Sequence, residues 1–217
     1  MRNIKWPAFL RVFGKSVVDW WDGWMDFEIM GVVWLIAQVT VILGPPATFG
    51  VYYAVNTLIR TGENIGLRGA IDGARKYFLR GLAWGAMNWA VLIISFINMS
   101  FYFNLQTQIG LIALIFIAFV TALWLIVQFY AVPFYMAQEQ EKIFLAFRNG
   151  LYLALASPLF TLGLMIFVLV IIALSVVFVI PAFLALPMLV PVLATRALYD
   201  RLEAFGIRKK DPDPREV

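Results

Sequence analysis

The distribution of charged residues constrains the fold of this chain more than any other feature. The 17 Lys and Arg and 13 Asp and Glu fall into four clusters. These clusters are Arg2 to Glu28, Arg60 to Arg80, Glu139 to Arg148 and Arg196 to Glu216. The stretches between them, residues 29–59, 81–138 and 149–195, contain no charge at all. Because about 20 apolar residues cross a bilayer as a helix, each stretch is long enough to enter one.

Composition supports the same interpretation. Hydrophobic residues make up 63% of the 217 residues and charged residues only 14%, whereas about 25% are charged in a typical soluble domain. We therefore predict an all-α, polytopic transmembrane helical bundle. It forms one domain over residues 1–205, and residues 206–217 form a flexible cytoplasmic tail.

The lengths of the uncharged stretches predict helical hairpins. The second and third stretches each accommodate two crossings, with turns expected at Asn104 to Gln108 and around Pro181. The first is short, and Gly44, Pro45 and Pro46 at its midpoint predict a break, because proline removes a backbone donor. We expect two half-helices, about 29–43 and 47–59, in a short or re-entrant hairpin. The result is about six membrane segments arranged as three hairpins.

The basic residues predict orientation. All 17 Lys and Arg lie in the four clusters, and three hairpins place every cluster on one side of the bilayer. The positive-inside rule then predicts a multi-pass protein of the cytoplasmic (inner) membrane with both termini cytoplasmic. The alternative is a single tilted crossing by residues 29–59, which gives five crossings and an external N-terminus.

Three amphipathic segments are predicted to lie at the membrane surface. Within residues 1–28, apolar residues recur every three or four positions from Trp6 to Trp24, which is typical of an interfacial helix. The segment from Gly66 to Arg80 shows a similar pattern, and a shorter one follows Pro133. We expect the two later segments to connect the hairpins.

Several function classes are disfavoured by residues that the chain lacks. It contains no Cys and no His, so it has no residues for a disulfide, a Cys nucleophile or a Ser-His-Asp triad. The uncharged stretches also lack the ionisable residues of ion-coupled pumps. We predict no catalytic, cofactor-binding or metal-binding residues and no enzymatic activity. The scattered basic residues predict no nucleic-acid partner.

The uncharged polar residues within the apolar stretches allow two interpretations. They either form hydrogen bonds between helices or line a central polar cavity suited to a neutral polyhydroxyl solute. The candidate lining residues are Gln38, Asn56, Asn88, Gln128, Tyr52, Tyr53 and Trp89. Separately, Gly81 and Gly85 form a small-xxx-small pair, which predicts close helix contact or self-association with a second copy.

The run from Leu43 to Val55, followed by Arg60, Gly62 and the segment Arg75 to Phe78, resembles the YesL-like family of bacterial membrane proteins. At the level of individual residues, the resemblance covers about residues 40–80. It implies an accessory role in carbohydrate uptake, with the lipid bilayer and a transporter subunit as partners. The alternative function is a small permease or channel component for a neutral solute, and a third class, an intramembrane enzyme, lacks a paired nucleophile and base.

Overall fold

The computed structural model describes residues 7–139, 141–177 and 186–208, and every regular element in these ranges is an α-helix. The helices are α1 (Ala8–Asp22), α2 (Trp24–Val39), α3 (Gly44–Thr61), α4 (Gly66–Lys76), α5 (Phe78–Asn104), α6 (Gln108–Ala137), α7 (Ile143–Ala156), α8 (Pro158–Val177) and α9 (Leu186–Ala204). The all-α prediction is confirmed. Trp6, the predicted turn around Pro181 and the tail from residue 209 lie outside the described residues.

Two helices in the described part of the chain are long and apolar enough to cross a membrane. They are α5, with 27 residues, and α6, with 30 residues. The pair α7 and α8 qualifies as a third span only if its two helices, bent by 103°, are taken together. The turn between α5 and α6 falls within the predicted segment Asn104 to Gln108.

Most of the α5–α6 hairpin lies outside the protein core. In α5 only Gly81 and Gly85 are buried, and in α6 the buried residues other than Gly110 lie between Val127 and Tyr135. The 19 residues of α5 beyond Gly85 extend about 28 Å at 1.5 Å per residue, close to the thickness of a hydrocarbon core. Their large apolar side chains therefore form a surface suited to lipid.

The first uncharged stretch differs in detail from its prediction. Its break covers residues 40–43, and Gly44, Pro45 and Pro46 form the first turn of α3 directly after it. Proline fits a first helical turn because the N–H groups there have no partner within the helix. The turn also holds Val41 at a φ of 60°, which is unusual for a β-branched residue.

The third uncharged stretch does not begin as a simple helix at residue 149. Helix α7 starts at Ile143, inside the preceding charged cluster, and ends at Ala156. Ser157 then takes a non-helical conformation before Pro158 opens α8. The physical reason is that proline disfavours the helical region for the residue before it. The sequence analysis predicts a turn of this stretch around Pro181 and does not predict the bend at Pro158.

Helix α1 is packed against both α8 and α9, and part of its polar side faces inward. Asp19 is only 4% exposed and forms an ion pair with Arg196 of α9, while Arg11 Nη2 donates to Asp200 Oδ1 at 2.9 Å. On the other side, the ring of Phe13 stacks on a ring of α8 at 4.0 Å between centroids. The charge of Arg196 compensates the burial of the Asp19 carboxylate.

Candidate functional site

The seven residues predicted to line a polar cavity are distributed over several separate positions. Gln38 lies at the end of α2, where its Nε2 donates to the Gly44 carbonyl of α3 at 3.2 Å. Trp89 is 52% exposed on the outer surface of α5. Tyr52 is buried in the core, and Tyr53 packs beside α4. These positions are not brought together around one space.

Asn88 and Gln128 are near each other, and each forms a hydrogen bond with a tryptophan of the opposite helix. Trp84 Nε1 of α5 donates to Gln128 Oε1 of α6 at 2.9 Å. One turn further on, Trp124 Nε1 of α6 donates to Asn88 Oδ1 of α5 at 3.0 Å. The two bonds match the antiparallel register of the hairpin, and we call these four residues the tryptophan–amide ladder.

The sequence contains a signal for this ladder that the prediction of a polar cavity does not use. A tryptophan is followed four residues later by an amide in both helices, as Trp84 and Asn88 in α5 and as Trp124 and Gln128 in α6. Residues four apart share one helix face. Two such pairs on antiparallel helices can exchange hydrogen bonds, which is the simpler of the two interpretations that we had considered.

Asn56 belongs to a second polar contact, which joins three helices. Its Oδ1 accepts a hydrogen bond of 2.5 Å from the hydroxyl of Tyr199 in α9. Its Nδ2 donates to the carbonyl of Met136 in α6 at 3.5 Å. Asn56 is 6% exposed, so both ends of its amide are used to hold α3, α6 and α9 together.

A cluster of aromatic rings that the sequence did not predict lies where α3, α4, α5 and α6 meet. Phe49 is at its centre, with ring centroids 5.2 Å from Tyr135, 5.7 Å from Trp84 and 6.3 Å from Tyr77. Tyr77 in turn lies 5.7 Å from Tyr135 and 6.0 Å from Tyr53. Tilted and edge-on contacts of this kind are favourable beyond their buried area.

An ion network borders the aromatic cluster and is centred on Glu141. Its Oε2 is paired with Arg80, and its Oε1 lies 3.3 Å from the Tyr77 hydroxyl and 3.9 Å from Lys76 Nζ. Lys76 also lies over the Tyr77 ring at 4.8 Å. The hydrogen bond to Tyr77 is the main cause that raises the pKa of Lys76. We call Lys76, Tyr77, Arg80 and Glu141 the Glu141 network.

The network connects α4 and α5 to the segment before α7. Since Arg80 and Lys76 neutralise Glu141, this carboxylate acts as an ion-pair partner and not as an isolated acid or base. Tyr77 and Glu141 are 64 residues apart, so neither the periodicity nor the charge pattern of one sequence indicates that they meet. Among residues 7–139, 141–177 and 186–208, no three acidic side chains form a group that could hold a metal ion.

A narrow crevice continues from the aromatic cluster toward α7. Its walls include Phe49, Trp84 and Tyr135 on one side and Ile143 and Phe147 on the other. It has no room for a water molecule. The Tyr135 hydroxyl is buried and has no hydrogen-bond partner among the described residues. The crevice is thus a seam between packed helices.

Gly81 and Gly85 lie in a close contact between two helices of the same chain. A Cβ added to Gly81 would lie 2.8 Å from Pro46 Cα, and one added to Gly85 would lie 2.3 Å from Pro45 Cγ. The predicted close helix contact is therefore present between α5 and the start of α3. Helix α3 covers both glycines, and self-association of the chain stays a prediction.

Comparison with known proteins identifies no relative: no family model, no curated protein and no solved structure matches the chain.

Proposed function

We propose that this chain is a non-enzymatic membrane protein that acts by binding another membrane protein. The resemblance of residues 40–80 to the YesL-like family suggests the partner, a subunit of a carbohydrate uptake system. We further propose that the chain resides in the cytoplasmic membrane of a bacterium as about six segments in three hairpins, with both termini cytoplasmic. The basic residues of its four charged clusters support this orientation.

The observation that carries the proposal is the tryptophan–amide ladder. A permease for a neutral solute needs polar side chains that are free to exchange hydrogen bonds with the solute. Here Asn88 and Gln128 accept hydrogen bonds from Trp124 and Trp84, and both ends of Asn56 are used elsewhere. The oxygens of all three amides accept hydrogen bonds from another helix, and only the buried Nε2 of Gln128 is without a partner among the described residues, which favours a packing role over transport.

The outer half of α5, which is the part beyond Gly85, supplies a surface for a partner. In lipid, apolar side chains alone give helices little reason to associate, and polar side chains contribute hydrogen bonds between them. Asn98 lies in this outer half, and its Nδ2 donates to the Ile94 carbonyl of its own helix at 2.8 Å. Its Oδ1 has no partner among the described residues, so it can accept a bond from a neighbouring protein's helix.

Affinity purification from native membranes in mild detergent, followed by mass spectrometry, tests the proposal. We expect a transporter subunit to be recovered in stoichiometric amount, and Asn98→Leu to lower its recovery several-fold. The control is Ile97→Leu, an exposed position where an apolar residue is kept. Recovery of the chain alone, together with solute uptake by liposomes that contain only this protein, would refute the proposal in favour of a permease.

Orientation is tested separately by cysteine labelling, since the chain has no native Cys. A cysteine at Arg75 should react with an impermeant reagent from the cytoplasmic side, and one at Gln106 only from outside. Labelling in the reverse sense would contradict the proposed topology but would leave the partner test unaffected.

A further inference from the structure

We infer that the outward side of α4 and the first turn of α5 bind the headgroups of anionic phospholipids. We call the four basic residues Arg68, Arg75, Lys76 and Arg80 the basic face. This inference concerns lipid and does not depend on the proposed protein partner.

Close packing of α4 on α3 determines which side of α4 points outward. A Cβ on Gly50 of α3 would lie 2.2 Å from the Ala70 carbonyl oxygen, and one on Gly73 of α4 would lie 2.7 Å from Tyr53 Cβ. The two glycines therefore let the helices approach each other closely. Ala70 and Gly73 are buried in this contact, whereas the four residues of the basic face are exposed.

The charges on this surface are only partly balanced. Arg75 approaches Asp72 at 3.9 Å, but both side chains are more than two-thirds exposed, and such pairs contribute little. Arg68 has no ion-pair partner among the described residues. Lys76 and Arg80 share the single carboxylate of Glu141. Four positive charges thus face two negative charges, and the surface attracts anions.

The position of α4 next to a candidate span points to lipid as the source of those anions. Helix α5 begins at Phe78, two residues after α4 ends at Lys76. Ile71, Phe78 and Leu79, which are 37%, 38% and 78% exposed, place apolar side chains beside the basic ones. Basic residues that directly flank a membrane helix are typical of segments that contact anionic headgroups.

Spacing also favours a lipid surface over a single bound phosphate ion. Arg68 and Arg75 are seven residues apart, so they lie on the same side of α4 about 10 Å from each other. This separation along the helix favours contacts with separate anions over one shared anion. Headgroups spread over a leaflet can satisfy both guanidinium groups at once, while the adjacent apolar side chains enter the acyl region.

Native mass spectrometry of the full chain in neutral detergent tests this inference. The probes are phosphatidylglycerol and phosphatidylcholine with identical acyl chains, offered in mixed micelles. We expect the wild-type protein to retain more phosphatidylglycerol. Since each basic residue near a lipid surface contributes about 1 kcal/mol, Arg68→Gln with Arg75→Gln should lower this preference about fivefold for each charge removed.

The matched control is Lys142→Gln with Arg148→Gln, which removes two exposed positive charges that do not belong to the basic face. It should change the lipid preference less than twofold. An equal loss of lipid preference in both double variants would mean that only net charge matters. An unchanged lipid preference in the α4 variant would exclude Arg68 and Arg75 as headgroup contacts. Either result overturns the inference, and size-exclusion chromatography establishes that both variants are folded.

A second measurement locates α4 without removing any arginine. A fluorophore is attached to a cysteine introduced at Asp72, and the protein is placed in nanodiscs. We expect stronger quenching by lipid labelled with a nitroxide at the headgroup than by lipid labelled at the chain end. An absence of quenching by both would overturn the inference and direct attention to an acidic protein partner for the basic face.

Discussion

Replacing Gly81 with alanine tests the contact between α5 and the start of α3. The new Cβ would lie 2.8 Å from Pro46 Cα and 2.9 Å from Pro46 N, whereas carbon atoms normally stay about 3.5–4.0 Å apart. Both neighbours are backbone atoms, so no side-chain rotation relieves the overlap. Helix α3 must move away from α5 by several tenths of an ångström.

The expected loss of stability follows from two opposing effects. Overpacking costs about 1–3 kcal/mol, and replacing glycine by alanine within a helix gains about 0.5–1 kcal/mol. Gly81→Ala should therefore destabilise the protein by about 0–2.5 kcal/mol, whereas a Gly→Ala change without overlap should stabilise it. For a chain of this size, each kcal/mol lowers the midpoint of thermal unfolding by about 2–4 °C.

The control is Gly14→Ala in α1, where an added Cβ meets no atom within 4 Å. This change should leave stability unaltered or raise it by about 0.4–1 kcal/mol. The assay compares the folded fraction of both variants after heating in detergent, measured by size-exclusion chromatography. Equal midpoints for Gly81→Ala and Gly14→Ala would refute the close contact between α3 and α5.

Three further predictions concern individual polar groups. In the tryptophan–amide ladder, a double-mutant cycle of Asn88→Leu and Trp124→Phe should give a coupling energy of about 0.6 kcal/mol, and at most about 1.7 kcal/mol. A coupling energy of zero would contradict the hydrogen bond between these two residues. Asp19→Asn should lower stability by about 3–5 kcal/mol because it removes the negative charge that is buried against Arg196. The exposed Asp72→Asn should cost less than about 1 kcal/mol, and similar thermal midpoints for the two variants would contradict this. Burial raises the pKa of Glu28, so protonation favours the folded state, and this contribution is lost as the pH rises through the folded-state pKa. Glu28→Gln should therefore be more stable than wild type at neutral pH, and this difference in stability should vanish below the ordinary pKa of 4.5. A difference that does not depend on pH would exclude burial of the carboxylate as its cause.

Local chemistry explains which parts of the fold the sequence predicted well. The uncharged segments predicted helices, and the polar run from Asn104 to Gln108 predicted the turn that α5 and α6 share. Proline was harder to interpret, because it can end one helix or begin the next. Pro45 and Pro46 begin α3, and the position of the break depended on how the preceding residues pack.

The candidate site was less predictable because it depends on contacts between distant segments. Tyr77, which directly follows α4, is packed among other aromatic rings. Its hydroxyl meets Glu141 from a segment 64 residues later, and nothing in the local spacing of either residue specifies that pairing. The amides were identified as important, but their partners depended on the register of two helices.

The ion pair between Asp19 and Arg196 has a consequence for the order in which the chain assembles. The two residues are separated by 177 positions, and Arg11 and Asp200 by 189. At a synthesis rate of about 5–20 residues per second, Asp19 emerges roughly 9–35 s before Arg196 exists. Both ion pairs of α1 therefore form only after α9 has been synthesised, and a nascent chain that ends before α9 can hold its first helix through the contacts with α8 but without either ion pair.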